Sequence, residues 1–118
     1  MLSNRARLAL TDIRDNIRFA EQFAAGLSVE ALKADRRTLY AVTRCLEIIS
    51  EAARRLPQSL RNRHPELPWR AITGAGNVYR HDNVAEEIVW RTLQHNLVPL
   101  LAAAERELAR FSKNTEGD

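Results

Sequence analysis

Residues 36–55, RRTLYAVTRCLEIISEAARR, carry the clearest fold signal in the chain. Their apolar members recur every three or four positions, which is the spacing of one buried face on an amphipathic helix. Polar residues such as Arg44 and Glu47 occupy the neighbouring faces, and Pro57 stands where such a helix must end. The sequence therefore predicts a helix over about 36–55, with a buried stripe made of Leu39, Val42, Leu46, Ile49 and Ala53.

The same spacing predicts helices on both sides of this stretch. Upstream it covers about residues 4–25, where Gly26 ends the helix and Ser28 is the expected N-cap of a short helical connector. Downstream, residues 57–69 contain three prolines and predict an irregular connection with one short helical turn. Pro68 suits the first turn of the helix that follows.

That third helix is expected to be short, because Gly74 and Gly76 lie in its interior or just beyond its end. Each glycine costs about 1 kcal/mol against alanine inside a helix. Close approach of another backbone or of a ligand is the usual reason for such glycines. A last apolar stripe, from residue 89 to 111, predicts one long helix kinked at Pro99.

The fold class follows from these stripes, since no stretch alternates with the period of two that a strand requires. We expect an all-α protein, an antiparallel bundle of four to five helices. A length of 118 residues suits one domain, here 1–112, followed by a polar tail, 113–118.

The composition indicates the cellular location of the protein and which kinds of chemistry it is not expected to use. No apolar run approaches the roughly 18 residues of a membrane span, and the charged N-terminus is unlike a signal peptide, so we expect a cytoplasmic protein without membrane contact. Cys45 is the one cysteine, which precludes an internal disulfide and favours a role as a small buried hydrophobe. The standard metal and nucleotide motifs are absent, so no metal and no cofactor are expected.

Positive charge is concentrated in one segment. Residues 54–81 contain six arginines against the one acid Glu66, and arginine is the better bidentate ligand for phosphate. This segment, with Arg70 and also Arg44 from the preceding helix, is therefore a candidate phosphate-binding surface. An arginine-rich codon usage explains the composition equally well.

The segment GNVYRHDN, residues 76–83, is the candidate site. His81 can exchange protons near neutral pH, and the adjacent Arg80 can bind a phosphate. RNA supplies its own nucleophile in the 2′-hydroxyl, so cleavage requires a base, an acid and a cation but no metal. A two-fold dimer would provide two copies of His81. The alternative is a polar turn that merely caps a helix.

The sequence resembles the HepT-like branch of the HEPN superfamily, also known as domain of unknown function 86. The resemblance runs nearly end to end, and it includes the Asp12-Ile13 pair and the stretch from Asp35 to Arg44. Its clearest blocks are EIISEAA (47–53), PELPW (65–69), ITGAGNVYRH (72–81), IVW (88–90) and LVPL (97–100).

The resemblance implies a bacterial ribonuclease toxin encoded beside a minimal nucleotidyltransferase antitoxin, with the motif Arg, four spacers, His, one spacer, Tyr. The motif histidine falls on His81 and the polar position after the motif arginine falls on Asn77. The motif arginine falls on Gly76 and the tyrosine on Asn83, so this chain departs from the pattern twice. That tyrosine is the implied target of nucleotide addition. The nine-residue spacing from His81 to Trp90 suggests a short deletion.

Together these observations predict a metal-independent endoribonuclease of a type VII-like toxin–antitoxin pair, acting as a homodimer with a composite His/Arg site. The alternative is a non-catalytic helical scaffold, or an RNA-binding partner of a nucleotidyltransferase, with a degenerate site. The expected catalytic residues are His81, Arg80 and Asn77. The expected substrate-binding residues are Arg70, Arg44, Tyr79, Asp82 and Asn83.

Overall fold

The computed structural model describes residues 3–81 and 86–116, with side chains described for 3–75 and 86–112. The described part is all-α and contains no strand, as the sequence predicts. Five helices have ten or more residues and match the expected bundle, and two shorter helices connect them. In chain order they are α1 Asn4–Ala24, α2 Val29–Ala34, α3 Arg36–Arg54, α4 Gln58–Asn62, α5 Trp69–His81, α6 Glu86–His95 and α7 Leu97–Glu116.

The first three helices begin at side-chain caps. The hydroxyl of Ser3 accepts the amide of Ala6 at 3.3 Å, and the carboxylate of Asp35 accepts the amide of Thr38 at 3.1 Å. Ser28 caps α2 as predicted, accepting the amide of Ala31 at 3.1 Å. Such caps satisfy backbone donors that have no partner inside the helix. Gly26, with a φ of 76°, makes the turn after α1.

The core is built around α3, which packs against α1, α2, α5 and α6. The predicted stripe of α3 is buried, and Val42 is fully enclosed. Ile13 and Ile17 from α1 and Leu100 from α7 are among the side chains that complete the core. Cys45 lies in the same layer, and burial raises the pKa of its thiol, as expected for a small packed hydrophobe and not for a nucleophile.

The expectation of one long helix kinked at Pro99 is wrong. The chain forms two helices, which are separated at Asn96. A proline ring clashes with the carbonyl four residues earlier, which is that of His95 here, so an unbroken helix would be strained at this position. The break makes Pro99 the third residue of α7, where a missing amide hydrogen removes no intrahelical bond.

Two further expectations are revised at the helix ends. α5 continues through both glycines to His81 and so is longer than predicted. A Cβ added at Gly74 would meet nothing within 4 Å among the described atoms, so no close approach by the described part of the chain explains that glycine. The backbone of α7 is helical as far as Glu116, which places the first part of the expected polar tail in the helix.

Candidate functional site

The candidate catalytic residues lie on the last two turns of α5. Asn77, Arg80 and His81 have the spacing i, i+3 and i+4, which puts them on one face of the helix. Tyr79 belongs to the same segment but falls on a different face. The side chains of these four residues lie outside the described ones, and Asp82 and Asn83 lie outside the described residues altogether.

Besides their apolar packing, α3 and α5 are joined by hydrogen bonds to one backbone carbonyl of α5. The oxygen of Thr73 accepts a hydrogen bond from Ser50 Oγ at 3.2 Å and another from Arg54 Nε at 2.8 Å. Ser50 is fully buried at the α3–α5 contact. Thr73 Oγ1 in turn donates to the carbonyl of Trp69 at 2.9 Å, within α5 itself. We call Ser50, Arg54 and the Thr73 carbonyl the α3–α5 clamp.

The two expected phosphate ligands outside the segment lie in different places. Arg70 is exposed in the first turn of α5, and the helical rise puts its Cα about 16 Å along the axis from that of His81. Arg44 is exposed on α3 and makes a 3.4 Å ion pair with Glu47. Within one chain, Arg70 and His81 therefore lie at opposite ends of α5.

Several arginines of the basic segment are used inside the fold. Arg55 pairs with Asp12 of α1 at 2.8 Å, and Arg63 pairs with Glu107 of α7 at 2.6 Å. Arg54 donates to Thr73 in the α3–α5 clamp. Acidic residues that are distant in the sequence therefore neutralise part of the positive charge of residues 54–81.

A cleft of about 420 Å³ opens between α3, α5, α6 and α7. Its walls are mainly apolar, with Ser50, Thr92 and Asn96 among the polar contributors. Gly74 lies in its wall, and Ile88, 40% exposed, stands at α6. The cleft therefore adjoins α5 one turn before the candidate catalytic face. The principal lining residues are Leu46, Ile49, Ala71, Ile72, Ala75, Leu97 and Leu100.

A buried ionic cluster, which the sequence did not reveal, joins α7 to the connection after α4. Glu107 is 2% exposed; it accepts from Arg63 Nη2 at 2.6 Å, and its Oε2 lies 2.7 Å from His64 Nε2. Burial is the largest influence on the pKa of Glu107 and raises it. The hydrogen bonds from Arg63 and His64, together with the positive charges of Arg63 and Arg110, outweigh burial, so the pKa lies below its ordinary value.

This cluster has a structural character. His64 is itself buried, and its backbone carbonyl accepts a hydrogen bond from the Trp69 ring nitrogen at 2.9 Å. The cluster thereby fixes the start of α5. In the part of the chain with described residues, no group of three or more His, Cys, Asp or Glu residues could hold a metal ion. No described helix is long and apolar enough to cross a membrane.

Comparison with known proteins identifies one family. Residues 13–107 match the family model described as Ribonuclease HepT-like, which includes α3, α5 and the buried cluster. The match covers well over half of the chain, so the similarity concerns most of the helical domain.

Individual proteins are also similar to this chain over most of their length. The chain is 30% identical over 99 residues to "Probable ribonuclease HepT" of Thermococcus cleftensis, covering 82% of this chain and 90% of that protein. It is 28% identical over 114 residues to "Putative RNase MJ0127" of Methanocaldococcus jannaschii, with coverages of 95% and 91%. "Putative RNase TTE0752" of Caldanaerobacter subterraneus is 30% identical over 106 residues, with coverages of 88% and 94%. No solved structure matches the chain significantly.

Proposed function

Because the chain belongs to the ribonuclease HepT-like family, we propose that it is an endoribonuclease that cleaves RNA without a metal ion. The observation that carries the proposal is the family match itself, which spans the segment with Arg80 and His81. The helical spacing of Asn77, Arg80 and His81 supports it, because three residues able to bind phosphate or move a proton share one face of α5.

The proposed reaction needs little from the protein. The 2′-hydroxyl of RNA attacks the adjacent phosphorus, the bond to the 5′-oxygen breaks, and a cyclic phosphate forms. His81 takes the proton from the 2′-hydroxyl or gives one to the leaving 5′-oxygen, since an imidazole near its ordinary pKa performs either task. Arg80 and Asn77 hold the phosphate and stabilise the charge that develops on its oxygens. Arg70, Arg44, Tyr79, Asp82 and Asn83 are proposed to bind other parts of the RNA.

We further propose that the active form is a homodimer with a composite site, because one chain supplies one His81 while the reaction uses an acid and a base. The apolar cleft supports this assembly. Gly74 has no described neighbouring atom within 4 Å of its missing Cβ, and the exposed Ile88 lines the same cleft, so a second copy could pack closely there. A stable dimer of this kind should bury more than about 1,000 Å².

The proposed setting is a type VII-like toxin–antitoxin pair in the cytoplasm, with a minimal nucleotidyltransferase as the antitoxin. Asn83 stands where the family motif has the tyrosine that receives the nucleotide, so neutralisation at that position is excluded here. The partner would have to act by binding or at another hydroxyl. Tyr79 is the nearest one in sequence.

A second function is favoured by the altered motif. Gly76 replaces the motif arginine and Asn83 the tyrosine, as expected for a scaffold that pairs with a nucleotidyltransferase or binds RNA without cleaving it. Purified protein incubated with RNA and an excess of chelator separates the two. Cleavage that survives chelation supports the ribonuclease, whereas RNA binding without cleavage supports the scaffold.

A further inference from the structure

The Thr73 carbonyl is the point at which hydrogen bonds from α3 can influence the backbone of α5. In a regular α-helix this oxygen accepts the amide of the residue four positions ahead, which is Asn77. Two side chains of α3 also donate to this oxygen, so three donors share its two lone pairs. The geometry of α5 at this turn is therefore set jointly by the helix and by Ser50 and Arg54.

The residue after Thr73 is Gly74, and it makes the shape of α5 depend on the α3–α5 clamp. Gly74 lacks a side chain and has no described atom within 4 Å of the position a Cβ would take. A helix is more easily deformed at such a glycine, because no side chain restrains the backbone at that position. Without the α3–α5 clamp, the two turns that carry Asn77, Arg80 and His81 would be held less firmly against α3.

We propose that Ser50 and Arg54 are positioning residues for the candidate site: they hold the Thr73 carbonyl and so set the direction of the last two turns of α5. The proposal rests on the proposed ribonuclease function for its catalytic consequence. Neither residue belongs to the family-derived motif, and neither has to touch RNA in this scheme. Their influence passes through the backbone of α5 to His81.

Activity measurements test the catalytic consequence. Ser50→Ala and Arg54→Ala should each lower kcat about ten- to hundredfold while KM stays within about twofold, because a small misplacement of catalytic groups affects the chemical step. Ser50→Thr keeps the hydroxyl and should restore kcat. Arg55→Ala is the matched control, since Arg55 pairs with Asp12 and has no bond to the described side chains of α5. A rise in KM at unchanged kcat in Arg54→Ala would mean that Arg54 binds RNA directly, which would overturn the proposal.

Amide hydrogen exchange tests the positioning itself, whether or not the protein cleaves RNA. In Ser50→Ala and Arg54→Ala the amides of residues 77–81 should exchange about three- to tenfold faster than in the wild type, while those of α1 stay unchanged. Unchanged exchange and unchanged chemical shifts at residues 77–81 would refute the proposal. If the wild type cleaves no RNA but the exchange result is as expected, the ribonuclease function fails and the positioning role stands.

Discussion

Removing the charge of Glu107 should destabilise the fold strongly, although this residue lies outside the candidate site. In Glu107→Gln the side chain keeps its size, so no cavity forms. The amide presents one oxygen and one NH2 group to two neighbours that both donate in the wild type, Arg63 and His64. At least one charge-assisted hydrogen bond is therefore lost, and a guanidinium is left without its anion.

The magnitude follows from the burial of the three groups. Breaking a buried ion pair by removing one partner costs about 3–5 kcal/mol. The Arg63 side chain is 32% exposed, so water can solvate part of its charge, which lowers the expected loss to about 2–4 kcal/mol. For a domain of this size, that corresponds to a fall in Tm of about 8–16 °C.

The assay is chemical and thermal unfolding of both proteins between pH 3 and pH 7. Because the pKa of Glu107 is lowered in the folded state, its stabilising contribution is present above the unfolded value of 4.5 and is lost as the pH falls through the folded-state pKa. The difference between wild type and Glu107→Gln should therefore be full at pH 7 and shrink below about pH 4.5.

Asp12→Asn is the matched control. It breaks the Arg55–Asp12 pair, whose side chains are 36% and 46% exposed, and should cost no more than about 1 kcal/mol. The reasoning is refuted if Glu107→Gln is no less stable than Asp12→Asn at pH 7, or if its deficit is the same at pH 3.

Three further predictions concern α5 and the assembly. Gly74→Ala should stabilise a dilute monomer by about 0.4–1 kcal/mol, because the added methyl group meets no described atom. The same change should weaken dimerisation if the second copy packs there. A less stable monomer in urea unfolding would contradict the open geometry at Gly74. Light scattering at micromolar concentration should give the mass of a dimer, and a monomer at every concentration would reject the composite site. Arg80→Ala should weaken RNA binding and reduce its dependence on salt, because a lost phosphate contact releases fewer counterions; equal salt slopes for variant and wild type would argue against phosphate binding.

The helices could be predicted because their signals are local. The stripe of α3 and the cap at Ser28 each depend on residues within a few turns, and the structure has both. Pro99 shows the limit of this reasoning. Its steric conflict with the helix is evident from the sequence, but whether the chain bends or breaks depends on how α6 and α7 pack, and it breaks at Asn96.

The buried cluster and the clamp could not be predicted because their partners are far apart in the sequence. His64 and Glu107 are separated by 43 residues, and neither lies in a recognisable motif. Arg54 and Arg63 resemble surface cations in the sequence, but one holds a backbone carbonyl and the other a buried carboxylate. The catalytic assignments to Asn77, Arg80 and His81 remain predictions that depend on helical spacing and family resemblance.

Cleavage of RNA by wild type and His81→Ala, compared in single-turnover reactions with chelator present, tests the central claim most directly. Loss of a proton-transfer group should lower the cleavage rate by about 10²- to 10⁴-fold. Circular dichroism and the Tm should remain those of the wild type, confirming an intact fold. A His81→Ala protein that folds and cleaves RNA at the wild-type rate would contradict the assignment.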